Sequence, residues 1–169
     1  MRRISTILIA LHALAWAGAE GADSNWRLDT FEDPSGYGSV AALRQDSAKT
    51  IKDESAASDV TPQIEFRCTP GDATVTARID WQRFISSFST EVGFRVDGGR
   101  FTWLKWKVDQ SEQVTLSPSG ANSQKLIDTL KAGNELLVEV SPYSQGPETA
   151  EFDLNGFSDA LETLMGKCQ

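Results

Sequence analysis

Histidine occurs once in the 169 residues, as His12, inside an apolar run from Ile4 to Ala17. The run follows Met1-Arg2-Arg3 and leads into Ala17-Gly18-Ala19. A charged start, an apolar stretch too short to span a membrane and small residues before a cut form the pattern of a secretory signal peptide. Residues 1–19 are therefore expected to be removed, and residues 20–169 then hold no imidazole. The commonest general base and metal ligand are gone, and so is every Ser-His or Cys-His nucleophile pair. That points away from an enzyme, and no cofactor is expected. No second apolar segment of membrane length follows, and Glu20 rather than a cysteine follows the cut, so neither a transmembrane nor a lipid anchor is expected. The chain reads as exported to the periplasm and soluble there.

Cysteine is nearly as scarce. Cys68 and Cys168 are the pair, with no Cys-x-x-Cys spacing for metal or redox work. An even pair in an exported chain reads as a disulfide. Closing a loop of about 100 residues contributes about 4–5 kcal/mol through the unfolded state. Positive charge is also short: 16 Lys and Arg stand against 24 Asp and Glu, a net −8, which loss of Arg2 and Arg3 deepens to −10. Such a chain repels phosphate backbones, so nucleic acid is excluded as a partner, and no basic run offers a foothold on anionic lipid.

Nucleophile and cation motifs are missing too. Gly-x-Ser-x-Gly and the Asp-x-Asp-x-Asp-Gly calcium loop do not occur, and Ser123 precedes Lys125 by two positions rather than three. Carboxylates alone can hydrolyse glycosides when one is buried and protonated beside an ionised partner. Asp80, Asp97 and Asp109 fall in turns, and Asp153 sits on the polar parity of its strand. With 24 acids on the chain, a solvated surface is the better account, and the same holds for Asp53-Glu54 as a calcium site.

What the sequence does contain is alternation. The length suits one domain. Trp26 to Phe31 reads as a first strand, ended by Glu-Asp-Pro-Ser-Gly, with Ser39 to Leu43 as its partner. Residues 45–61 show no period and read as a long mobile loop. Ile64, Phe66 and Cys68 then share one strand face, and Val75, Ala77 and Ile79 share the face of a returning strand. Glu91 to Val108 reads as a second hairpin, turned by Asp97-Gly98-Gly99. Further strands are expected at Glu112–Leu116, Glu135–Val140 and Ala150–Leu154. Helices are expected at 122–132, closed by Gly133, and at 157–167, where Phe157, Leu161, Leu164 and Cys168 form one apolar stripe. The predicted class is α+β: a mainly antiparallel, sandwich-like sheet with two short helices, the C-terminal one pinned by the Cys68–Cys168 disulfide.

The second hairpin carries the best candidate surface. With Gly98-Gly99 as the turn, Asp97 faces Arg100, Phe94 faces Trp103 and Gly93 faces Leu104. Val92, Phe94, Val96, Phe101 and Trp103 then form a core face, and Arg95, Thr102, Leu104, Trp106 and Val108 the opposite one. Trp106 with Leu104 and Arg95 would make an aromatic-plus-Arg interface anchor if uncovered. A covering helix or sheet would make it core, which is the favoured reading. A turn one residue longer would exchange the faces. Arg95 and Asp97 could pair on one face, and Trp26 and Trp81 read as core edges.

The succession of segments resembles the VasI/TagO family of type VI secretion-associated periplasmic proteins. The resemblance rests on Ser141-Pro142-Tyr143, Pro147-Glu-Thr-Ala-Glu-Phe-Asp-Leu-Asn-Gly-Phe157 with its short helix ending in Cys168, and Ile64-Glu-Phe-Arg-Cys68. Phe94-Arg95-Val-Asp97 and Trp26 before an Asp-Pro turn add to it, while Thr102-Trp103-Leu-Lys-Trp106 departs from the family's Trp-Ser-rich stretch. The resemblance implies a non-catalytic accessory protein that binds a protein or another envelope component. A periplasmic inhibitor or immunity protein against a cell-wall hydrolase such as lysozyme is the alternative, with Asp97-Gly-Gly-Arg100 as its charged tip.

Overall fold

The computed structural model describes residues 24–32, 38–72 and 74–169. The expected leader and His12 lie outside them. Alternating sequence is converted into antiparallel strands, and their inner faces set the core. In chain order these are β1 (Arg27–Glu32), β2 (Ser39–Asp46), β3 (Ile51–Lys52), β4 (Asp59–Val60), β5 (Gln63–Cys68), β6 (Thr76–Asp80), β7 (Ser89–Val96), β8 (Thr102–Val108), β9 (Val114–Leu116), β10 (Glu135–Val140) and β11 (Glu148–Asp153). Helices α1 (Ala121–Lys131) and α2 (Phe157–Cys168) complete the described elements. Nine strands form one sheet in the order β1-β2-β5-β6-β9-β8-β7-β10-β11, and β3 pairs with β4 alone.

The first half follows its pattern directly. Ile64, Phe66 and Cys68 of β5 are buried beside Ala77 and Ile79 of β6. Helix α2 lays Phe157, Leu161, Leu164 and Cys168 over that floor. The rings of Trp26, Phe66 and Phe157 meet at 4.8–5.8 Å. Burying a side chain such as Phe157 contributes about 2–3 kcal/mol. The Cys68–Cys168 disulfide, with Cα atoms 5.7 Å apart, ties the end of α2 to β5, in agreement with the two apolar patterns.

The sheet curls until its last strand returns to β2. There, two side chains and one backbone bond stand in for a regular strand-to-strand ladder. The Gln45 amide donates to the Asp153 carbonyl and accepts from the Asp153 N–H, both at 2.8 Å. Ser47 Oγ accepts from the Glu151 N–H at 3.1 Å, and the Ala48 N–H donates to the Glu151 carbonyl at 2.8 Å.

This corrects the reading of 45–61 as a long loop. β2 runs on to Asp46, Gln45, Ser47 and Ile51 are buried, and the β3–β4 hairpin turns on the Asp53 carboxylate, which accepts from Ser55 Oγ and the Ala57 N–H. Arg83, 2% exposed, clamps the hairpin from the side. Its guanidinium donates to the Lys52 carbonyl at 2.7 Å and to Glu148 at 2.6 Å, and also to Gln145.

Candidate functional site

The β7–β8 hairpin is where the structure departs most from expectation. Asp97 (φ 48°) and Gly98 (φ 69°) are both left-handed, and the Gly99 N–H donates to the Val96 carbonyl at 2.9 Å. The turn is therefore centred on Asp97-Gly98, the type I′ arrangement that suits strand twist, rather than on Gly98-Gly99. One extra residue is taken up before the ladder begins, and it then pairs Phe94 with Thr102, Gly93 with Trp103 and Val92 with Leu104. That slip of one residue exchanges the faces.

Trp106 is thus wholly buried, its ring 5.2 Å from Phe94, and Leu104 is half-buried on the same inner side. Neither belongs to an exposed patch. Phe101 and Trp103, read as core, lie instead on the outer face with Arg95. The Arg95 guanidinium sits 5.0 Å over the Phe101 ring, and Phe101 stacks on Trp103 with centroids 5.5 Å apart. Trp103 remains 44% exposed. It lies flat because its cross-strand partner is Gly93: a Cβ there would stand 2.9 Å from the indole ring.

Exposed aromatics gather around this hairpin. Of the four large apolar side chains exposed among the described residues, Phe88 (84%) and Tyr143 (75%) flank the adjoining ends of β7 and β10. Trp103 shares a shallow depression with Thr90, Glu91 and Ser141. Sequence reasoning missed Phe88 and Trp103 as surface residues. The signal for Trp103 was the glycine opposite it, which only the correct register reveals.

Asp97 does not face Arg100, nor does it pair with Arg95. Its carboxylate accepts from the backbone N–H groups of Asn134 and Glu135, each at 2.9 Å, and from Asn134 Nδ2 at 3.2 Å. Those backbone bonds, from Asn134 first, hold its pKa below the ordinary carboxylate value. Asp97 is an acceptor joining the β7–β8 turn to the start of β10. Arg100 is exposed and meets Leu104 at a cleft beneath α1.

The opposite half presents a different outer face. Antiparallel register sets Arg27, Arg44, Glu65, Arg78, Leu116 and Lys107 in one row across β1, β2, β5, β6, β9 and β8. Glu65 accepts from Arg44 Nε and Arg67 Nε at 2.6 Å each, with Arg78 3.9 Å away. Burial pushes the Glu65 pKa up, but the Arg44 bond and the charge and bond of Arg67 outweigh it, so the carboxyl lies below its ordinary value.

The carboxylates considered for hydrolysis are dispersed. Asp80 accepts from the Gln82 N–H, Asp109 from Ser111, and Asp153 from Asn25 and Asn155. Among the described residues no cluster of three potential metal ligands occurs. Each of these acids is spent on organising a turn.

No family model and no curated protein matches the chain. Among solved structures, the crystal structure of invasion associated protein B from Bartonella henselae is similar, with a TM-score of 0.54 and 14% identity over 85% of this chain and 93% of that one. At this identity the likeness is one of fold.

Proposed function

We propose that this chain is an exported, non-catalytic accessory protein that binds another protein of the bacterial envelope, in the manner of the type VI secretion-associated VasI/TagO factors it resembles. The Arg95–Phe101–Trp103 stack carries this reading. Rigid aromatics and Arg, held flat on a sheet, bury large area on contact while losing little conformational entropy. Export is supported by the leader pattern and by a disulfide that spans the domain. The carboxylates Asp46, Asp53, Glu65, Asp72 and Asp97 are each held towards the ionised form. A general acid needs the opposite. The alternative, a hydrolase inhibitor, loses the acidic half of its tip, because the Asp97 carboxylate already has three donors.

A photoreactive amino acid at Trp103 in living cells tests the proposal, with one at Glu162 on α2 as the control. Capture of a secretion-apparatus subunit from Trp103 and not from Glu162 is expected. Capture of a cell-wall hydrolase would replace the secretion reading with the inhibitor one. Capture from Glu162 alone would reject the stack as the interface.

A further inference from the structure

We infer that the cleft between α1 and the inner face of β7–β8 is a binding site for a small amphipathic carboxylate, its apolar body inside and its anionic end at the mouth. The cleft encloses about 290 Å³, close to the lower end of small-molecule sites. Its floor and walls are Phe94, Val96, Leu104 and Leu126, and Phe94 and Leu126 are otherwise buried, at 4% and 8% exposed. Helix α1 turns Leu126, Ile127 and Leu130 inward, yet the side chains around the cleft leave this space unfilled. Protein interiors are close-packed, and apolar walls facing a gap forgo dispersion contacts that a guest of matching chemistry restores.

The mouth selects the sign of charge. Arg100 and Lys125 both line it and both are exposed. Among the described residues neither makes an ion pair, so both can meet an anion at the mouth. No carboxylate lines the cleft, in a chain of net charge −8. Thr102 supplies a hydroxyl on the wall. Two cations above an apolar floor match a molecule with one greasy and one anionic end. This site is on the opposite side of the hairpin from the Trp103 stack and does not depend on the proposed envelope partner.

Titration of the purified protein with decanoate, below its micellar concentration, tests the inference, with decanol and inorganic phosphate as the other probes. Saturable decanoate binding is expected, with decanol at least about tenfold weaker, since charge-assisted hydrogen bonds at the mouth serve only the acid. The R100A/K125A double variant, both exposed positions, should lose about tenfold for decanoate and nothing for decanol. Thr102→Trp should block both while leaving the melting curve in place. Equal binding of decanol and decanoate, an unchanged double variant, phosphate competing as well as decanoate, or no saturable binding of decanoate would each overturn it.

Discussion

The two halves of the sheet solve the same packing problem with opposite surfaces. The β1-β2-β5-β6 half is covered inside by α2, where Trp26, Phe66 and Phe157 interlock and the disulfide closes the end. Outside, it shows a self-satisfied row in which Glu65 is surrounded by Arg44, Arg67 and Arg78. The β8-β7-β10 half has a cleft beneath α1 and, on its outer side, rings and a guanidinium stacked on one another rather than on an acid. Charges already paired have little to gain from a partner, whereas exposed aromatics gain area. The difference separates a half that holds the domain together from a half available for contact.

Substitutions can test that division, beginning where the loss should be greatest. Phe157→Ala should lower unfolding free energy by about 3–5 kcal/mol, since it opens a cavity in the ring cluster; denaturant titration reads it, and a loss below about 1 kcal/mol would dissolve the claim that α2 anchors the fold. Replacing both Cys68 and Cys168 by Ala should cost about 2–5 kcal/mol through the unfolded chain. The readout is the shift in thermal midpoint, matched by the same shift when the native protein is reduced.

Glu65→Gln should cost about 1–3 kcal/mol near neutrality, because three arginines lose their shared acceptor. The sign with pH follows from the lowered folded pKa. Glu65 contributes stability above its unfolded pKa of about 4.3 and loses it as pH falls through the still lower folded value. Stability measured down an acid series should therefore drop in the native chain across that window and change less in the variant. Smallest of all, Trp103→Ala should alter stability by under about 1 kcal/mol and yet abolish capture by a photoreactive amino acid placed at Thr90 in the same depression. A large stability loss at Trp103, or a negligible one at Trp106, would return the hairpin to the register first read from sequence.

The first half was legible because its residues obey a single period. Ile64, Phe66 and Cys68 alternate over six residues, and Phe157, Leu161, Leu164 and Cys168 recur at helical spacing, so the disulfide and the pinned helix followed. The second hairpin was not, for a local reason. Asp97-Gly98-Gly99 offers two adjacent turn positions, and the one extra residue taken up after the Asp97-Gly98 turn reverses every β8 side chain that follows. What decides it is Asp97 itself, whose carboxylate is needed by the Asn134 and Glu135 amides, a long-range contact without local trace. The β3–β4 hairpin has strands too short to show alternation, and Arg83 meets its acceptors at Lys52, Gln145 and Glu148 only through the tertiary fold.

The way Gln45 and Ser47 close on β11 bears on how a partner can approach. An exposed strand margin invites a foreign segment to add on through main-chain pairing, a route both to recognition and to aggregation. Here the Asp153 amide and carbonyl and the Glu151 N–H are occupied by side chains of Gln45 in β2 and of Ser47 just beyond it. Along this border the molecule is sealed against strand donation. A visitor there must read side-chain chemistry, and specificity passes from the backbone to residues that selection can change one at a time.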